Sequence, residues 1–191
     1  MVTTGTPGLD VAGLAVTAGV AVPSVVPVRA AYAALHDARF PVSAIAAVIH
    51  VGAVPADRRG VGSVSEAVRD GIGATGCLRT FDVDGGAAGV VSALAVGASL
   101  LDDDGGVLIT VAERDGTSAS IVLAGGTSPE PATFEFDQAR SDALGPYVLR
   151  SASPVRALLD CRAAGRYDVV LVAADGTSPT ASVRCRLKMP S

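Results

Sequence analysis

The chain has 191 residues, 49% of them hydrophobic and 18% charged, with a net charge of −4. That size suits one domain, and the apolar fraction excludes a disordered chain. The 15 basic residues are scattered, with no stripe of aromatics between them, so no nucleic-acid partner is expected.

The start, "MVTTGTPGLD", lacks the basic stretch and apolar run of a secretion signal. Leu9 to Val22 then reads as an apolar strand broken by glycines and ended by Pro23. "VRAAYAALHDAR", Val28 to Arg39, places Ala31, Ala34, Leu35 and Ala38 on one helical face. "IAAVIHVGAV", Ile45 to Val54, is a continuous apolar run, as a parallel strand buried on both faces requires. After the polar loop "PADRRGVGS" comes a helix from Val64 to Ile72, with Ser63 as N-cap and Glu66 at the capping-box spacing. "CLRTFDV", Cys77 to Val83, is a third strand.

Gly85 to Leu101 is a long uncharged run between Asp84 and the triplet Asp102, Asp103 and Asp104. It is short for a membrane span and rich in Gly and Ala, so it reads as a buried helix, and no membrane contact is expected. "GVLITVAE", Gly106 to Glu113, is a strand, and "RDGT" turns the chain into "SASIVLAG". Strands alternating with helices predict a parallel α/β sheet, to which this hairpin adds one antiparallel edge strand. "ATFEFDQA" alternates like a strand. "SPVRALLDCRAAG" reads as a helix with Ser153 as N-cap and Pro154 at its first position. "YDVVLVAADGTSPTASVRCRL" is a closing strand, turn and strand. It repeats the pattern of "GVLITVAERDGTSASIVLAG", a strand, a DGT turn and a strand after a helix, so an internal duplication is expected. We place a complete first half at residues 1–126 and a shortened second half at 127–191, packed as one domain.

This arrangement resembles the thiolase-like fold, and within it the ketoacyl-ACP synthase III family. "VAGLAVTAGVAVPS" is similar to the family's opening strand and proline. "AAYAALHDARFPVSAIAAVIHVGAV" is similar to its first helix and second strand. "SVSEAVRDGIGA" is similar to the helix ending in a leucine-glycine pair, here Ile72-Gly73. "FDVDGGAAGVVSALAVGASLL" is similar to the nucleophile strand and helix, which in the family read approximately FD-x-x-x-x-C-x-G. The last helix and closing hairpin complete the match. The resemblance implies an α/β layered sandwich, with one complete five-stranded mixed sheet and a truncated second half.

The departures bear on function. In the family a cysteine at the start of the buried helix takes the acyl group, its thiolate stabilised by the helix N-terminus. By alignment on Phe81-Asp82 and Gly89, that position is Ala87. Cys77 lies before the strand, and Ser92 lies more than a turn into the helix. The family's catalytic His and Asn belong to the middle of its second half, whereas this chain passes from Ala139 directly to the last helix at Ser153. Its two histidines are His36, read as a surface residue, and His50, read as a packed or hydrogen-bonded core residue.

The resemblance therefore implies a non-catalytic ketosynthase-like subunit or acyl-binding partner in polyketide or fatty-acid type biosynthesis. Its ligand cleft comprises Gly85, Gly86, Ala88, Gly89, Asp175 and Gly176 around Ala87. Family members dimerise through the third strand, here Cys77 to Val83, which implies a homodimer or a heterodimer with a full-length ketosynthase. An acyl carrier protein or acyl-CoA is the implied ligand. A second reading is an enzyme acting on acyl thioesters (hydrolase, cyclase or acyltransferase) without a covalent intermediate, with His50, Asp82, Asp84 or Asp175 as its base. A third is a small-ligand binder that keeps only the apolar tunnel. In the plainest reading, the glycines of "DGGAAG" serve only close packing of helix on sheet. "GTPG" and "GIGATG" lack the Lys-Ser/Thr of a phosphate loop. Arg58-Arg59 and the aspartate triplet read as exposed loops. Cys77, Cys161 and Cys185 lack metal-site spacing, so reduced thiols in a cytoplasmic protein with no metal or cofactor are expected.

Overall fold

The computed structural model describes residues 9–18, 26–52, 63–76, 79–83, 86–101, 104–113, 116–125, 134–137, 152–173 and 180–189. The first half comprises β1 (Leu9–Thr17), α1 (Val26–Ala38), a 3-10 turn (Val42–Ala44), β2 (Ile45–Val51), α2 (Val64–Gly71), β3 (Arg79–Val83), α3 (Ala87–Ser99), β4 (Gly106–Ala112) and β5 (Ser118–Ala124). The second half comprises β6 (Phe134–Asp137), α4 (Ser153–Ala163), β7 (Asp168–Ala173) and β8 (Thr180–Leu187).

The strands lie in the order β3-β2-β4-β5-β1-β8-β6, with β7 on the other edge of β8. The first five positions form the mixed sheet that the fold class calls for. Contrary to the sequence expectation, the antiparallel strand is not an edge. β5 is flanked by β4 and β1, antiparallel to both. Its side chains explain this, since Ser118 to Leu123 are all buried, which an edge strand facing water does not require. The two halves are also joined directly. Leu9, Asp10 and Val11 pair in parallel with Cys185, Arg186 and Leu187.

Two apolar clusters lie on opposite faces of the first sheet. The outer one holds Val48, Leu108 and Val122 beneath α1 and α2, with Ala31, Ala34, Leu35, Val68 and Ile72. The inner one holds Ile49, Ile109 and Leu123 against α3 and α4, and continues through Leu171, Val183 and Cys185 of β7 and β8. α3 is apolar along its length because it has sheet on both sides, Val90, Val91, Ala93 and Leu94 all being buried. The layers are thus outer helices, sheet, central helices and terminal hairpin. The helix–turn–hairpin unit occurs after both α3 and α4, as the repeated sequence pattern predicts. No helix among the described residues is long and apolar enough to cross a membrane.

Small residues set the layer spacing. Gly13 lies at a β-bulge in β1 and directly beneath α1, where an added Cβ would come within 2.3 Å of the Ala34 carbonyl oxygen. Just past the contact, the Asp37 carboxylate accepts a hydrogen bond from the Leu14 N–H at 2.9 Å and from Arg162 of α4 at 2.6 Å. Lys188, beyond β8, donates to the Ala38 carbonyl. These bonds tie the outer helix to β1 and to the second half.

The exposed side of the terminal hairpin carries the ion pairs Asp168–Arg184 and Asp10–Arg186 and, among the described residues, the apolar Val170, which is 60% exposed.

Candidate functional site

α3 begins where β3 ends. Its N-cap, Gly86, offers no side-chain hydrogen bond, so the first N–H groups of the helix have no cap from that residue. Ala87 is the first helical residue and is only 2% exposed. Ala88 is half-buried and Gly89 is buried. Ser92, one turn further on, donates back to the Ala88 carbonyl. Asp84, Gly85, Asp175, Gly176 and Cys77 lie outside the described residues, as do Arg58, Arg59, Asp102 and Asp103.

α4 also starts at this end of the sandwich. Glu113, just past β4, accepts a hydrogen bond from the Ala152 N–H at 2.8 Å. Sequence reading assigned the cap of α4 to Ser153. Instead Ala152 is the N-cap, with no side-chain bond of its own, and Ser153 and Pro154 are already helical. A carboxylate from a neighbouring strand supplies the charge that suits a helix N-terminus. Glu113 was missed as a site residue. The available signal was an acidic residue closing the apolar run "GVLITVA". Two central helices thus present their N-termini at the C-terminal ends of β2, β3 and β4, where open α/β sheets place ligands.

His50 and Asp82 do not face this site. Along β2 and β4, Ile49, Val51, Ile109 and Val111 point to α3, whereas Val48 and Leu108 point to α1 and α2. By that alternation His50 and Thr110 face the outer helices, with the sheet between them and Ala87. His50 is 4% exposed, and its Nδ1 lies 3.0 Å from the Thr110 hydroxyl oxygen. Burial pushes its pKa down to about 4, against a smaller upward pull from Asp82. Asp82 sits opposite His50 in register, and Ser120 sits opposite Thr110. A polar row therefore runs across the outer face from β3 to β5. The Ser120 hydroxyl is buried with no hydrogen-bond partner among the described residues.

The Asp82 carboxylate accepts hydrogen bonds from the Val64 and Ser65 N–H groups at 3.1 and 2.9 Å, so it holds the start of α2. Burial alone would raise its pKa. The Ser65 N–H, the Ser63 and Ser65 hydroxyls and the Val64 N–H outweigh that effect and hold it below the usual carboxylate range. Asp82 thus has a structural task. Ser63 caps α2 as its sequence predicts, accepting from the Glu66 N–H. His36 is exposed, as expected. Burial raises the Cys185 thiol to about 12, which leaves it unreactive.

No protein-family model and no curated protein sequence matches the chain significantly. Solved structures do. Xanthomonas campestris OleA bound to acetamide superposes with a TM-score of 0.72 at 12% identity, covering 94% of this chain and 98% of that one. OleA bound to cerulenin gives the same values. ChlB3, described as an "aceyltransferase", gives 0.67 at 12% identity, covering 91% of this chain and 87% of that one. At such identities the likeness is one of fold, and with the strand order above it supports a thiolase-like layered α/β sandwich.

Proposed function

We propose that this protein holds acyl thioesters at the start of α3 without taking the acyl group onto itself, as a ketosynthase-like subunit. One observation carries the reading. The helix that starts between two sheets, at the ligand end of the fold, bears a methyl group on its first residue, Ala87, and a glycine before it. What remains there is backbone N–H groups, which suit a thioester carbonyl or a phosphate but form no bond to carbon. The likeness to a cerulenin-bound protein and to one described as an "aceyltransferase" supports a function related to acyl thioesters. The reading as an enzyme without a covalent intermediate is weaker, because His50 and Asp82 face away from Ala87.

Incubated with acyl-CoA, the wild-type protein is expected to bind without gaining mass. Ala87→Cys is expected to gain one acyl group in intact-mass spectrometry, since a thiol at a helix N-terminus is activated. Unaided condensation by the wild type, or an acyl adduct on it, would overturn the proposal.

The subunit reading extends to β3. It is the outer edge of the sheet, with Phe81 partly exposed, and an open edge of this kind invites pairing with a second copy or with a full-length ketosynthase. Light scattering is expected to give a dimer for the wild type or a complex with a ketosynthase. Phe81→Asp, which sets like charges face to face, is expected to abolish it. A wild type that stays monomeric alone and in the presence of a ketosynthase refutes this part.

A further inference from the structure

The outer face carries a buried polar row whose hydrogen bonds are incomplete. His50, Thr110 and Ser120 stand side by side on β2, β4 and β5, and all three are buried. The Thr110 hydroxyl has one hydrogen-bond partner among the described residues, His50 Nδ1. A buried hydroxyl donor left unmade is costly. Thr110 therefore donates and Nδ1 accepts, so the network assigns the proton of the neutral ring to Nε2. Ser120 stands opposite Thr110, and its hydroxyl meets no partner among the described residues. On its other side β1 offers the methyl group of Ala15. The Cβ atoms of such an antiparallel pair lie about 5 Å apart, so a turn of the Ser120 side chain brings its oxygen within reach of the Thr110 hydroxyl.

Proton uptake reverses the row. A ring protonated on Nδ1 donates there, and the Thr110 oxygen becomes the acceptor. The Thr110 O–H then needs a new acceptor, and the Ser120 oxygen stands opposite. The idle hydroxyl thus has a use in the charged state alone. Among the described residues, Asp82 is the one charge that acts on His50. β4 and β5 face the ring with hydroxyls. α2 carries Glu66 and Asp70 at exposed positions and Arg69 paired with Asp70, and α1 carries the exposed Arg29. The Asp82 carboxylate is the group that holds the Val64 and Ser65 N–H groups at the start of α2. A positive charge opposite it in register competes for that carboxylate. α2 has eight residues, of which Ser65 and Val68 are buried, so its first turn has little else to hold it.

We infer that His50, Thr110 and Ser120 form an acid-sensitive relay that unlatches α2. Nδ1 takes a proton from solvent, the Thr110 O–H turns from His50 to Ser120, and Asp82 turns from the first turn of α2 toward the imidazolium. The new N–H is the one covalent bond that changes. The relay lies across the sheet from Ala87 and does not depend on the reading given there.

The test follows the isotope-labelled full chain by NMR from neutral pH downward. At neutral pH the His50 ring nitrogens are expected to show the Nε2–H tautomer. As His50 titrates, amide exchange at Val64 and Ser65 is expected to rise at least about tenfold more than at Val48 and Leu108. Ser120→Ala supplies the sharper readout. At neutral pH it is expected to unfold at no lower urea concentration than the wild type, because it removes a hydroxyl that has no partner. Its His50 is nevertheless expected to take up a proton at a pH lower by about half a unit or more, because the charged state has lost its acceptor. An Nδ1–H tautomer at neutral pH, an unchanged His50 titration in Ser120→Ala, Val64 and Ser65 amides that stay protected while His50 titrates, or unfolding of the whole chain before His50 titrates would each overturn the inference.

Discussion

Gly13→Val is expected to lose about 3 kcal/mol or more of stability, read as a fall in the urea unfolding midpoint. The first atom added would lie 2.3 Å from the Ala34 carbonyl oxygen, 2.7 Å from the Ala38 Cβ and 2.8 Å from the Ala38 nitrogen. Two of these are backbone atoms inside a helix, so no side chain can rotate out of the way. α1 has to lift off β1, and lifting it pulls Asp37 from both the Leu14 N–H and Arg162. Gly76→Ala serves as the control, since nothing lies within 4 Å of a Cβ there. It is expected to stay within about 0.5 kcal/mol of the wild type. A Gly13→Val protein that unfolds at the wild-type midpoint refutes the close approach of helix and strand.

The second large effect is one of pH. His50 titrates at an ordinary 6.5 in the unfolded chain and is pushed down to about 4 in the fold. Between those values the unfolded state binds more protons, so stability rises with pH through this window and is full above it. Acidification from 6.5 toward 4 is expected to remove roughly 3 kcal/mol, at about 1.4 kcal/mol per pH unit. Asp82 contributes with the same sign in a lower window. Its carboxyl is held below the normal 3.8, so its contribution is present above that value and is lost only as pH falls below it. The two are therefore separable. Urea midpoints measured across the window should slope for the wild type and flatten for His50→Gln. An unchanged slope in the variant places the titrating group elsewhere.

Much of the fold was legible in particular segments. "SVSEAVRDGIGA" announced a capped helix, and Ser63 accepts from Glu66 as its spacing requires. The apolar run after Gly86 announced a buried helix, and the structure shows α3 buried as expected. Other features had no local signal. "IAAVIHV" is buried on both faces, so it lacks the alternation that would have shown which way His50 points. Only the outer cluster of Val48 and Leu108 reveals it. The pairing of Leu9–Val11 with Cys185–Leu187 joins opposite ends of the chain, and the charge that caps α4 comes from Glu113, far from it in sequence. The start of α3 was legible as a place and a residue type, because helix, glycine and alanine are adjacent.

The bonds from Asp37 and Lys188 have a mechanical consequence. They join the last turns of α1 and α4 to β1 and to the residue that follows β8. The sandwich is thus bound like a book at its spine. Removing the one carboxylate at that spine, Asp37, would release α1, β1 and α4 from one another together.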